Sequence, residues 1–189
     1  MAKFDLIGLG NALVDSEFHV TDSFLKKKGF EKGTMHLVDS DEQTNLLNSL
    51  EKEYGKPSLA CGGSATNTIF AASILGSSCS YICKVGNDKN GNFYLDDLSD
   101  AGVNIDHSVM LDSNINSGTC TVMVSPDAER TMSTCLGISS DLSATDVANE
   151  IFSDSRLIYL EGYMMSGDDS YDACMLSLIH ISEPTRLEL

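Results

Sequence analysis

Residues 60–76 read ACGGSATNTIFAASILG, and the fold of the chain is read outward from this stretch. The adjacent Gly62 and Gly63 let the backbone approach a ligand with no Cβ in the way. Ser64 is placed to cap a helix. The run Ala65 to Leu75, through Ile69 and Ala72, gives that helix an apolar face to pack on a sheet. Gly76 sits where a helix C-terminal glycine belongs. Asn67 falls in the first turn, where its amide faces whatever the exposed N–H groups hold, and a glycine-led helix start favours small polar or anionic ligands. The same residues also fit a glycine-rich turn into a buried helix with no ligand, and by themselves they leave both readings open.

Composition narrows the function classes. With 189 residues, 42% of them hydrophobic and 21% charged, the chain suits one sizeable globular domain or part of a larger one. A formal net charge of −16 argues against a broad basic face for nucleic acid or an anionic membrane. Lys26 to Lys28 read as a solvated helix end. No apolar run approaches the ~20 residues of a membrane span, and MAKFDLIGLGN reads as a first strand rather than a signal peptide, which points to the cytoplasm. The six cysteines, at 61, 79, 83, 120, 135 and 174, include no CxxC pair and read as reduced thiols, with no metal site.

Along the chain, Lys3 to Leu9 alternates as a buried strand would. GLGNAL has Leu13 where a dinucleotide fingerprint needs its third glycine, so that reading is rejected. NALVDSEFHV is a second short strand, in which Asp15 is either a turn acceptor or a ligand carboxylate. A helix over Phe24 to Gly29, a strand over Thr34 to Val38 and an amphipathic helix over Asp41 to Tyr54 follow. After the helix of residues 64–75 come a strand over Cys79 to Val85 and a helix over Asn92 to Ala101, closed by Gly102. Strands alternating with helices predict a parallel sheet with crossovers. Thr119 to Val124 and Arg130 to Cys135, joined by SPDAE, predict an antiparallel hairpin apart from that core. Ser143 with Asp146 resembles a capping box opening a helix to Phe152, and Leu157 to Leu160 is a buried strand.

GLGNALVD, CGGSATN, KVGND, DLSDAGV, SGTC, ERTM and YLEGY occur in that order over residues 3 to about 170. In this they resemble the PfkB, or ribokinase-like, family of sugar and nucleoside kinases, and most closely its adenosine-kinase-like branch. The resemblance implies an α/β fold: a ribokinase-like αβα core with a mainly parallel sheet, plus a small β-sheet lid drawn from about 12–38 and 107–136. It implies ATP-dependent phosphorylation of a nucleoside or sugar hydroxyl, adenosine ahead of ribose or fructose, with Mg2+ as the metal cofactor. By the likeness Asp15 accepts ribose hydroxyls, with Asn67 and the Gly62–Gly63 backbone beside it. A carboxylate is acceptor-only and takes two hydroxyls at once. Asn11, Cys120 and Tyr163 would line the pocket, and Arg130 would face the transferring phosphoryl group. A small-molecule nucleoside or sugar is the implied partner, with neither nucleic acid nor membrane, and a homodimer through the lid stays open. Beyond ERTM, Ser133 and the LGIS around Ile138 depart from the family's pattern.

The family's GAGD-type motif, whose Asp takes the acceptor proton, does not occur in the sequence, nor does the nucleotide-binding half around it. Residues 1–175 are thus expected to form the N-terminal part of one ribokinase-like domain, a pocket and lid without a catalytic base and without turnover. A non-catalytic binding protein is the alternative. LSLIHISEPTR, Leu176 to Arg186, resembles translated sequencing adapter, which would make 176–189 a non-native tail; a natural amphipathic last helix turn also fits it. A sheet edge left open beside Leu157 to Leu160 is expected to favour aggregation or partial unfolding.

Overall fold

The alternating N-terminal run builds the centre of the molecule. The computed structural model describes residues 2–106, 108–111, 114–147 and 150–179. In it that run is β1 (Phe4–Leu9), paired in parallel with β5 (Cys79–Ile82) on one side and β10 (Ser155–Leu160) on the other. Parallel neighbours need crossover connections, and the helices supplying them cover both sheet faces. On one face α3 (Ser64–Ile74) and α4 (Lys89–Asp100) close Ala65, Ile69, Tyr94 and Leu98 over Tyr81 and Cys83. On the other, α5 (Glu150–Ser153), α6 (Asp168–Ile179) and the turns around Leu142 and Met164 bury Phe4, Ile7, Leu9 and Ile82. A Cβ at Gly8 would lie 2.4 Å from Cγ1 of Ile69, so the close contact of β1 with α3 depends on glycine there.

A second, five-stranded sheet forms the lid, in the order β3 (Met35–Leu37), β9 (Arg130–Cys135), β8 (Gly118–Val124), β2 (Leu13–His19), β4 (Ser58–Gly62). β8 and β9 are the expected antiparallel hairpin, turned at Ser125–Ala128. One face of the lid is covered by α1 (Asp22–Lys28) and α2 (Ser40–Tyr54), whose Phe24, Leu25, Leu46 and Leu50 pack on Phe18 and Met123. Thr21 caps α1, and an Asp39–Glu42 capping box starts α2. Lys26 to Lys28 form the exposed last turn of α1.

Several local expectations change. The strand expected over Cys79 to Val85 splits, because β1 turns away at Gly10 and leaves its continuation without that neighbour. β6 (Lys84–Gly86) pairs instead with β7 (Val109–Leu111). β7 therefore belongs beside the core, although it falls within the 107–136 span expected for the lid, while β4 joins the lid from outside both spans. Residues 107, 112 and 113 of that span lie outside the described residues. Leu75, expected on the packed face of α3, is 86% exposed: it lies past the last helical turn, where Gly76 and Ser77 donate back to Ser73 and Ala72. The Ser143–Asp146 box forms but opens only the single 3-10 turn Ala144–Asp146, and the Asp146 carboxylate also takes the Lys84 ammonium at 2.8 Å. α6 runs unbroken past residue 175 to Ile179, with Ser177 buried; the remainder of the expected tail, 180–189, lies outside the described residues.

Among the described residues β10 has no strand on its outer side, and Leu157 is 65% exposed there. An apolar, unpaired edge is a template for pairing with another chain. Leu157→Lys is expected to lower self-association, seen by light scattering against protein concentration. Unchanged scattering would show that the edge is not the site of association.

Candidate functional site

The lid and the core meet where β1 leaves the central sheet through Gly10–Ala12 to become β2, and where β4 turns through Gly62 and Gly63 into α3. Between them lies a cavity of about 270 Å³. Six of the residues singled out from the sequence line it together with Arg130: Asn11, Asp15, Gly63, Asn67, Cys120 and Tyr163. Gly62 does not line it and instead backs Asp15, since a Cβ there would lie 2.0 Å from Asp15 Oδ1. Gly63 takes φ +102°, open to glycine at little cost, and its missing Cβ leaves room for the Asn11 carbonyl oxygen.

Asp15 is the third residue of β2, with Cys120 beside it on β8 and Ala60 on β4. A turn role is thereby excluded. Among the described residues no donor reaches its carboxylate. Burial pushes its pKa up to about 6, against the opposing pull of the Arg130 charge. The Cys120 thiol is pushed up to about 11, chiefly by burial, and accepts from the Thr134 hydroxyl at 3.3 Å, so it is a neutral thiol at pH 7. Arg130 opens β9 at the lid rim, and Tyr163 stands 64% exposed in the turn Gly162–Ser166. Leu13, Met35, Leu37, Met132 and Leu136 are its apolar lining, and Leu13 shares a face of β2 with Asp15.

Glu161, inside the quoted YLEGY but not singled out, is the functional residue that sequence reasoning missed. It is 3% exposed and lines the cavity. Its carboxylate accepts from the Asn11 amide at 2.8 Å, the Ala65 amide at 3.1 Å and the Ser64 hydroxyl at 3.1 Å. Ser64 is therefore not the helix cap; that position is Gly63, with no side-chain cap bond. The available signal was an acidic residue directly after the apolar run Leu157–Leu160, a strand expected to be buried and found half-buried with Leu157 exposed, but its partners lie about 100 and 150 residues away in sequence. Behind the turn, the buried Tyr94 hydroxyl donates to the Gly62 carbonyl at 3.2 Å and shares a hydrogen bond with Thr66.

A larger cavity of about 590 Å³ lies between α2, the start of α4 and residues 114–117. Within its lining Gln43 donates to Thr119 and the Ser117 amide donates to Asp88, and Gln43 also reaches Thr121 and the Ser133 carbonyl behind it. None of the residues singled out from the sequence lines it.

The pattern described as pfkB family carbohydrate kinase matches residues 34–182. The chain belongs to the pfkB family. It is 30% identical over 122 residues to adenosine kinase 2 of Arabidopsis thaliana, covering 63% of this chain and 34% of that protein. To a ribokinase of Dictyostelium discoideum it is 34% identical over 88 residues, 47% of this chain and 27% of that one. Among solved structures it superposes on adenosine kinase from Sinorhizobium meliloti with a TM-score of 0.83 at 32% identity, covering 95% of this chain and 54% of that chain. A probable sugar kinase from Rhizobium etli gives a TM-score of 0.84 at 29% identity, covering 97% and 55%. The chain thus spans about half the length of these solved structures and about a third or less of the curated relatives. The αβα core and small lid sheet expected of a ribokinase-like fold are present. No helix among the described residues is long and apolar enough to cross a membrane, and all six cysteines are free.

Because folding raises the Asp15 pKa from 3.8 to about 6, the folded state binds more protons than the unfolded one between those values. The stability this contributes is complete below about pH 4 and is lost as pH rises through about 6. Asp15→Asn is expected to flatten that fall in a series of urea midpoints. Parallel slopes for the two proteins would show that Asp15 titrates normally.

Proposed function

We propose that the cavity is the acceptor pocket of a kinase that phosphorylates a nucleoside hydroxyl, adenosine ahead of a free sugar. The observation that carries this reading is that one cavity is lined by both buried polar groups and a set of large apolar side chains. Asn11, Asp15, Asn67 and Glu161 provide hydrogen-bonding groups for a polyhydroxy moiety; Leu13, Met35, Leu37, Met132 and Leu136 provide a dry surface for a flat base. A free pentose would leave the apolar lining unused. Family membership and the likeness to an adenosine kinase at 32% identity support the same reading.

Each residue has a physical task in it. The Asp15 carboxylate accepts two vicinal hydroxyls and rejects an analogue lacking them, because a buried acceptor would be left unpaired. Asn67 and the Gly63 backbone complete that cradle. Cys120, kept neutral, and Asn11 line the pocket, and Tyr163 stands at its mouth. Arg130 is at the rim, where a guanidinium would meet the oxygens of a transferring phosphoryl group. ATP would supply that group, with Mg2+ neutralising its charge. Among the described residues no three His, Cys, Asp or Glu side chains converge to hold a metal ion. With no GAGD-type base in the sequence, the chain is expected to bind acceptor without turning it over.

Titration calorimetry tests this. Adenosine is expected to bind at least tenfold more tightly than ribose, and Asp15→Asn to weaken adenosine by roughly 10–100-fold, the range for hydrogen bonds to a charged group. Affinity is expected to rise as pH increases through about 6, where Asp15 ionises. Ribose binding as tightly as adenosine would replace the nucleoside reading with a sugar-kinase one. An unchanged Asp15→Asn would remove Asp15 from the site.

A further inference from the structure

A helix N-terminus presents unpaired N–H groups and about half a positive charge, and it ordinarily attracts an anion. At α3 a carboxylate of the protein itself stands at that place. Glu161 Oε2 accepts from the Ala65 amide and the Ser64 hydroxyl, each at 3.1 Å, while Oε1 accepts from the Asn11 amide at 2.8 Å. The carboxylate is 3% exposed, and among the described residues no cationic side chain forms an ion pair with it. Asp15 adds a second carboxylate to the same cavity, and Arg130, exposed at the lid rim, is the one cation among the lining residues. The α3 end of the pocket therefore offers acceptors and no free cationic partner. A hydroxyl finds a partner there; a phosphate finds the Ala65 amide occupied and two like charges in a poorly screened space. The sequence-based expectation of small polar or anionic ligands at this helix start is halved: the anionic part is met from within the protein.

We infer that the pocket selects its acceptor by charge, with Glu161 as the specificity-determining residue: the moiety lodged at the α3 end must be an uncharged polyol, and the same ligand phosphorylated on those hydroxyls is excluded. This rests on the acceptor-pocket reading above. It assigns Glu161 a task distinct from that of Asp15. Asp15 selects for hydroxyls, and Glu161 sets a negative charge at the helix start, where an anion would otherwise be attracted.

The test compares binding of adenosine with that of adenosine 3′-monophosphate, which carries its phosphate on a hydroxyl assigned to the Asp15 end. In the natural chain at pH 7.5 adenosine is expected to bind at least tenfold more tightly. Glu161→Gln, equal in size but uncharged, is expected to narrow that ratio threefold or more. Equal affinities in the natural chain, or an unchanged ratio in a Glu161→Gln protein that still binds adenosine, would overturn the inference while leaving the acceptor pocket standing. If Glu161→Gln does not fold, Asp15→Asn decides: Glu161 is then the one carboxylate lining the cavity, the ratio is expected to stay above threefold, and a ratio of one would assign the exclusion to Asp15 and overturn the inference. Failure of the natural chain to bind either ligand would overturn the acceptor pocket and this inference together.

Discussion

A single buried carboxylate holds the three parts of this molecule in register. Glu161 follows the last strand of the central sheet. Its two oxygens reach the backbone where β1 passes into the lid and the first turn of the helix that follows the Gly-Gly turn. Three donors from two distant stretches converge on a group that is 3% exposed. Burying an ionised carboxylate costs several kcal/mol unless hydrogen bonds offset it, and removing it would strand its donors without water. The position of the lid relative to α3, and with it the shape of the cavity, depends on this junction.

The second constraint is steric. Asp15 rests against Gly62, and the turn can hold its course only because neither Gly62 nor Gly63 carries a Cβ. Tyr94 reaches up from α4 to hold the Gly62 carbonyl, so a core helix beneath the turn helps to set where the Asp15 carboxylate lies. Burial then raises its pKa to about 6, which leaves it ionised at neutral pH while keeping it sensitive to mild acid. Packing, rather than a nearby charge, is the main source of that tuning, since the Arg130 charge acts in the opposite direction.

Much of the chain could be read before any tertiary contact was known. The period-two alternation of β1, the 3.6-residue pattern of α2 and the turn residues between β8 and β9 are local signals, and each element forms within a few residues of its expected bounds. Asp15, Asn67, Cys120 and Arg130 were legible through their motifs, and the fold brings them to one cavity. The failures share a cause. The break between β5 and β6, the exposure of Leu75 and the diversion of Ser64 from its cap each follow from which neighbour a residue meets. Local pattern carries no record of that.

The sequence by itself determined the parallel sheet with crossover helices and the hairpin of the lid, because periodicity and turn residues act over a few residues, while the family was legible through the resemblance of its motifs. Only the tertiary structure decided that β4 joins the lid, that Asp15 lies in mid-strand against a glycine, and that Glu161 fills the N-terminus of α3. These depend on contacts between residues about 50 to 150 positions apart, and such contacts exist only once the sheets have closed on their helices.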